Sequence, residues 1–275
     1  NVELLAPAGE PESGYAAFHY GADAIYLGLP RFSARAEAVN FSLDDLCEMV
    51  GYAHALQPRR RVFVTVNTLI LENELADAVD LLVSLADLEV DAVIVQDLGV
   101  ARIIQRHVPE LRMHASTQMA IHNLAGAQAI RDLGFARVTL ARELTLAEIG
   151  DITARCGIET ETFVHGALCY SYSGLCMFSS MMRGRSGNRG RCSYPCRDFC
   201  RVEAALKPGF PFSMKDLSLG RYVKDLRAAG VASFKIEGRK KSPLYVGTAV
   251  NYYRQLLDGK LASGEIRELE AQMKT

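Results

Sequence analysis

Val62–Gln96 reads VFVTVNTLILENELADAVDLLVSLADLEVDAVIVQ. It opens on an apolar, β-branched run at Val62–Val66 and closes on a second at Ala92–Val95. Such brief, near-continuous runs suit parallel strands covered on both faces, not strands with one wet face. Between them, Leu75–Leu88 repeats apolar residues at spacings of three and four, which predicts a helix laid against the sheet. The unit is strand, helix, strand, and the polar residues Asn67 and Gln96 follow its two strands directly.

The same alternation extends in both directions. Further strands are predicted at Val2–Leu5, Ala24–Leu27, Leu111–His114, Arg137–Leu140, Glu159–Val164 and Ser233–Ile236. Helices are predicted over Leu43–Leu56 behind a Ser42 cap, and over Asn123–Leu133, Leu146–Arg155 and Leu217–Ala229. In a chain of 275 residues this pattern fits an α/β fold of the (β/α)8 TIM-barrel type better than an open doubly wound sheet. No G-x-G-x-x-G or phosphate-loop motif follows any strand.

Polar groups recur just after the predicted strands: Asn67, Gln96, His114 with Ser116-Thr117-Gln118, Arg142-Glu143, His165, and Lys235 with Glu237 and Arg239. Barrel active sites form at the carboxyl ends of the strands. A lone strand-end histidine is commonly structural; recurrence on one face is what marks these residues as candidates. His165, Lys235, Glu237, Arg142 and His114 are therefore expected to be catalytic. Gln118, Asn67 and Arg239 are expected to bind substrate.

The expected seventh strand leads into a segment of different composition. Glu161–Arg201 holds five of the seven cysteines and six arginines, with little aliphatic side chain. Cys169, Cys176, Cys192 and Cys196 are spaced C-x6-C-x15-C-x3-C, without the C-x2-C knuckle usual in structural zinc sites. An all-thiolate set selects soft metals, zinc or iron–sulfur, over magnesium or calcium. Metal binding would order a loop that hydrophobic burial cannot. The loop, 165–213, is thus expected to be a cysteine-rich, metal-binding insertion over the barrel mouth. Its Arg185, Arg189 and Arg197 are expected to grip phosphates or a dicarboxylate, since guanidinium pairs bidentately with both.

The formal net charge is −1, so overall charge favours no class of partner. No run approaches a membrane span and no signal segment opens the chain, so no membrane association is expected. An odd cysteine count fits a reducing cytoplasmic setting better than a secreted disulfide framework.

These motifs resemble the collagenase-like U-32 peptidase family. The likeness is carried by ETFVHGALC at Glu161–Cys169, then Gly174, Cys176 and Ser179, with Phe178 where a smaller aliphatic is usual. ELLAPAG at Glu3–Gly9, GADAIYLG at Gly21–Gly28, GRSGNRGRC at Gly184–Cys192 and Cys196-Arg197 extend it. HASTQ at His114–Gln118, SMKD at Ser213–Asp216, FKIEGR at Phe234–Arg239 and YYRQLLDG at Tyr252–Gly259 look most like the bacterial ribosomal RNA cytidine hydroxylase branch. Related members are prephenate-dependent tRNA uridine hydroxylases. The resemblance implies a [4Fe–4S] cluster on Cys169, Cys176, Cys192 and Cys196, with Cys200 as an alternative fourth ligand. It also implies a ribosomal or transfer RNA substrate, prephenate or another anionic co-substrate, and an electron donor that the residues do not identify. RNA-modifying members continue into C-terminal domains, which are expected beyond Thr275.

Two other readings follow from the same residues. A peptidase would need an activated nucleophile, and Cys169 with His165 is the local pair. A zinc-bound, non-catalytic RNA-binding module would use the four cysteines only to hold the loop.

Overall fold

Parallel strands close into a ring in the computed structural model, which describes residues 2–201, 209–261, 264, 265, 268 and 269. The strands are β1 (Glu3–Pro7), β2 (Ala24–Gly28), β3 (Arg61–Val66), β4 (Ala92–Val95), β5 (Met113–Ala115), β6 (Arg137–Thr139), β7 (Glu159–Gly166), β8 (Leu217–Ser218) and β9 (Ser233–Ile236). Each of β1 to β6 pairs in parallel with its successor, β9 pairs in parallel with both β7 and β1, and so eight strands form a closed barrel. The ninth, β8, lies antiparallel on the end of β7. This is a (β/α)8 TIM-barrel fold.

The outer layer is α1 (Pro11–His19), α2 (Leu43–Ala55), α3 (Leu75–Asp87), α4 (Leu98–His107), α5 (Leu124–Asp132), α6 (Leu146–Arg155), α8 (Val223–Ala228) and α9 (Pro243–Leu257); α7 (Phe178–Arg183) belongs to the insertion. Ser42 caps α2 as its sequence predicts: its hydroxyl accepts from the Asp45 amide at 3.1 Å, and Asp45 accepts from the Ser42 amide at 2.9 Å.

Alternation along the strands divides two cores. Val62, Val64 and Val66 face the helices, as do Val93 and Val95, whereas Phe63, Ala92 and Ile94 join Leu5, Ala24 and Tyr26 inside the barrel. Both faces are dry, which is why the strands read as continuous apolar runs. Each fully buried Val, Leu or Ile contributes about 1.5–3 kcal/mol.

Differences from expectation have local causes. Leu217–Ala229 is not one helix: β7 runs past the barrel rim and Leu217–Ser218 pairs with its exposed edge, so α8 begins only at Val223. The strand expected at Leu111–His114 starts at Met113, and the one expected at Arg137–Leu140 ends at Thr139. The insertion leaves β7 after Gly166 and is built of short 3-10 turns and α7; of the range 165–213, residues 202–208 lie outside the described residues. Among the described residues no helix is long and apolar enough to cross a membrane.

Candidate active site

Period-two alternation carries charge as well as bulk into the barrel. Ser233, Lys235, Glu237 and Arg239 follow one another at every second position, as do Glu159, Glu161 and Phe163 on β7. Lys235 donates to Glu161 at 2.8 Å, and Glu161 accepts from Thr139 at 2.9 Å and Arg137 at 3.2 Å. Arg137, on β6, crosses the lumen to Glu3 on β1 and to the Phe63 ring on β3. Burial opposes charge on Glu161, yet Lys235 and Arg137 hold its carboxyl below the usual range. Burial makes Lys235 less basic, and Glu161 offsets part of that.

Above this floor, at the carboxyl ends of the strands, lies a cavity of about 580 Å³ roofed by the insertion. Five cations border it, one of them, Arg197, from the insertion. Arg35 pairs with Glu237 at 3.3 Å. Arg142 lies 3.8 Å over the Phe163 ring and donates to the Ala167 carbonyl at 2.8 Å. Lys235 stands 4.4 Å over the Tyr26 ring. Arg239 donates to Ser33 at 2.8 Å and Thr65 at 3.0 Å. Burial and the neighbouring Arg35 bring the Arg239 guanidinium down to about 10. Gly28 makes room for it, because a Cβ there would stand 2.1 Å from Arg239 Nη1. Neutral groups line another part of the wall: Asn67, Ser116, Thr117 and Gln118.

Of the residues expected to be catalytic, Lys235, Glu237 and Arg142 line this cavity. His165 does not. The β7–β9 register shifts between Phe163 and His165, so the alternation breaks. The imidazole is carried outward to Tyr253 of α9, whose hydroxyl is 3.4 Å from Nδ1, and to Tyr245. His114 lies below the cavity, edge-on to Phe63 at 4.8 Å, and burial keeps it neutral well below its ordinary value. Gln118, Asn67, Arg197 and Arg239 line the cavity, but Arg185 and Arg189 do not.

The insertion arginines are mostly spent on holding the insertion down. Arg189 grips Glu74 through both nitrogens, at 2.7 and 3.0 Å, and donates to the Leu69 carbonyl at 2.9 Å. It draws the Glu74 carboxyl down to about 2. Arg185 pairs with Glu37, and Arg183 with Asp198. Arg197 donates to the Leu168 carbonyl at 2.8 Å and to Ser213 Oγ and the Met214 carbonyl, each at 2.7 Å. Carboxylates from the barrel loops claim Arg185 and Arg189, Asp198 of the insertion claims Arg183, and neutral oxygens hold Arg197. Arg35, Tyr26 and Phe163 are site residues that sequence reasoning missed. The signal for Arg35 was the length of its loop, residues 29–42, well beyond the usual βα connection.

Cys169, Cys176, Cys192 and Cys196 all line the cavity, and all are free thiols. Burial and the closeness of Cys169 push the Cys196 thiol up, Cys192 adding to it. Cys200 stays outside: its amide and carbonyl pair with Gly209 at 2.8 and 3.1 Å, and its sulfur is 3.7 Å from the Asp198 carbonyl. Among the described residues no three His, Cys, Asp or Glu side chains converge as a single ion would require. Zinc holds each sulfur at about 2.3 Å. A four-iron cluster is broader, and takes four thiolates around its periphery. Four soft donors spread around one cavity fit that group by donor chemistry.

A family model described as peptidase family U32 matches residues 9–275. A 23S rRNA 5-hydroxycytidine synthase of Escherichia coli is 42% identical over 264 residues, covering 94% of this chain and 39% of its own length. A tRNA hydroxylation protein of Bacillus subtilis is 37% identical over 275 residues, covering 96% of this chain and 64% of its own. The chain thus spans less than two thirds of either relative. A solved U32 peptidase superposes with a TM-score of 0.59 at 15% identity, over 86% of this chain and 94% of the other, a likeness of fold.

Proposed function

The chain belongs to peptidase family U32, and from that membership and the cavity we propose that it is the barrel of an iron–sulfur-dependent, oxygen-independent RNA base hydroxylase. The reaction would be 5-hydroxylation of a ribosomal RNA cytidine or a transfer RNA uridine. One observation carries the reading: four thiols and five cations border one cavity at the barrel mouth.

Cys169, Cys176, Cys192 and Cys196 would hold a [4Fe–4S] cluster, which supplies one-electron chemistry when bound. Arg35, Arg142, Lys235 and Arg239 face mainly Glu237 and Glu161, which leaves excess positive charge for an anionic co-substrate such as prephenate. Among the described residues Arg142 donates to the Ala167 carbonyl through one nitrogen, which leaves its fork to pair with a carboxylate. Lys235, less basic through burial, is placed to donate a proton to a group bound in the cavity. The amides of Asn67 and Gln118 suit the edge of a base taken out of its stack. The insertion, stapled by Arg185 and Arg189, roofs this space.

The peptidase alternative lacks an assembled pair at its expected place, since His165 turns toward Tyr253 while Cys169 contacts Ser171. The zinc-bound module remains the reading to which a zinc-only result would lead.

The test has two arms. Protein purified without air should hold about four irons and four sulfides per chain, lost in Cys192→Ser. Cells lacking the full-length gene should lose 5-hydroxycytidine or 5-hydroxyuridine from their RNA, with recovery by the wild type but not by Cys192→Ser. Stoichiometric zinc without sulfide, or unchanged nucleosides, overturns the proposal.

A further inference from the structure

Glu143 borders the cavity without facing it as a free carboxylate. Both its oxygens are turned to the insertion: Oε1 accepts from the Ser173 amide at 2.7 Å and Oε2 from the Ser173 hydroxyl at 2.6 Å. His122, from the loop after β5, approaches the same Oε2 at 3.4 Å. Its ring lies flat on Tyr172, with centroids 4.3 Å apart and planes 12° from parallel. Ser173 itself is 4% exposed and has φ 42°, ψ 35°, a left-handed backbone that a non-glycine residue keeps only when its surroundings hold it. Gly174 follows at φ 84°, where a Cβ would stand 3.5 Å from Gln118.

Tyr172, Ser173 and Gly174 are the middle of the short arc between Cys169 and Cys176. Two contacts tie the flanks of this arc to the residues beside the other two cysteines. The Ser193 amide donates to Ser179 Oγ at 3.0 Å, and Arg197 ties the chain beside Cys196 to the Leu168 carbonyl at 2.8 Å. Glu143, by contrast, grips the middle of the Cys169–Cys176 arc from the barrel, through Ser173. We propose that Glu143 is the positioning residue of the cysteine site, its two-pronged grip on Ser173 presetting the arc that presents Cys169 and Cys176. This rests on reading the four cysteines as ligands of one cofactor. His122, stacked on Tyr172 and 3.4 Å from Glu143 Oε2, belongs to the same latch.

Preorganisation of this kind sets how readily a ligand arc opens. Losing one charge-assisted hydrogen bond corresponds to about a tenfold change or more in the opening equilibrium. Hydrogen exchange on the metal-free protein reads it directly. In Glu143→Ala, peptides covering Tyr170–Cys176 should exchange about tenfold faster or more, while those covering Arg191–Cys196 and the barrel strands stay as in the wild type. Glu143→Gln, which keeps one acceptor, should fall between them. In iron-loaded, full-length protein, Glu143→Ala should lose iron to a chelator faster by a similar factor. Unchanged exchange across Tyr170–Cys176 overturns the proposal. If exchange rises everywhere, Ser173→Ala decides, because it removes one hydrogen bond and leaves the carboxylate in place: a rise confined to the arc supports the latch, and no rise overturns it. If the wild type takes up no iron, the cluster reading fails, while the exchange arm still judges the latch.

Discussion

Replacing Glu161 by glutamine tests the charged barrel floor. Glu161 is 1% exposed and Lys235 4%, and they meet at 2.8 Å. Removing one member of such a pair leaves the other buried and uncompensated, at a cost of about 3–5 kcal/mol. Arg137 also contacts Glu161, but it keeps Glu3 and Glu159, so the deficit falls on Lys235. We expect Glu161→Gln to destabilise by about 3 kcal/mol, the lower end of that range. Lys235→Met leaves Glu161 with Arg137 and Thr139, so it should cost about 1–2 kcal/mol. The double variant removes both charges and should cost no more than about 2 kcal/mol, far less than the sum of the singles. Urea denaturation of all four proteins at pH 7 closes the cycle. Additive losses, or a Glu161→Gln loss below about 1 kcal/mol, would refute the argument that Lys235 depends on Glu161 for its charge.

Three further outcomes are expected. His114 is held neutral by burial and its folded value lies below its unfolded one near 6.5, so the unfolded chain takes up the proton first. Stability should therefore be complete above that value and fall by up to about 1.4 kcal/mol per pH unit as pH drops below it; if His114→Phe leaves the profile between pH 6 and 5 unchanged, the assignment fails. Gly28→Ala should displace Arg239, whose Nη1 would stand 2.1 Å from the new Cβ, and weaken binding of a dicarboxylate probe such as malonate by about tenfold, one lost charge-assisted contact, in calorimetry. Cys200→Ser should keep the iron and sulfide of the wild type while Cys196→Ser loses them; equal loss in both would undo the separation of Cys200 from the other four thiols' neighbourhood.

The barrel was legible because its strands are buried twice over. A run such as Val62–Val66 has to be apolar on both faces, and that leaves a mark in one dimension. The recurrence of polar groups just after the strands was equally readable, and of these Asn67, Lys235, Glu237 and Arg239 line one cavity at the barrel mouth. The cysteines announced themselves by composition, since nothing in their segment could form a core.

What the chain alone left undetermined depends on contacts between residues far apart in sequence. A bulge in β7 turns His165 away from the site, and no local pattern records a register shift that is set by the neighbouring strand. Arg185 and Arg189 looked like ligand arginines until folding brought Glu37 and Glu74 beside them. Arg35 and Glu143 come from loops that sequence distance separates from the insertion, yet one enters the cavity and the other grips Ser173. Local periodicity determined the barrel and the face on which it works; only tertiary structure decided which charges remain free there, because pairing depends on distances that no window of sequence contains.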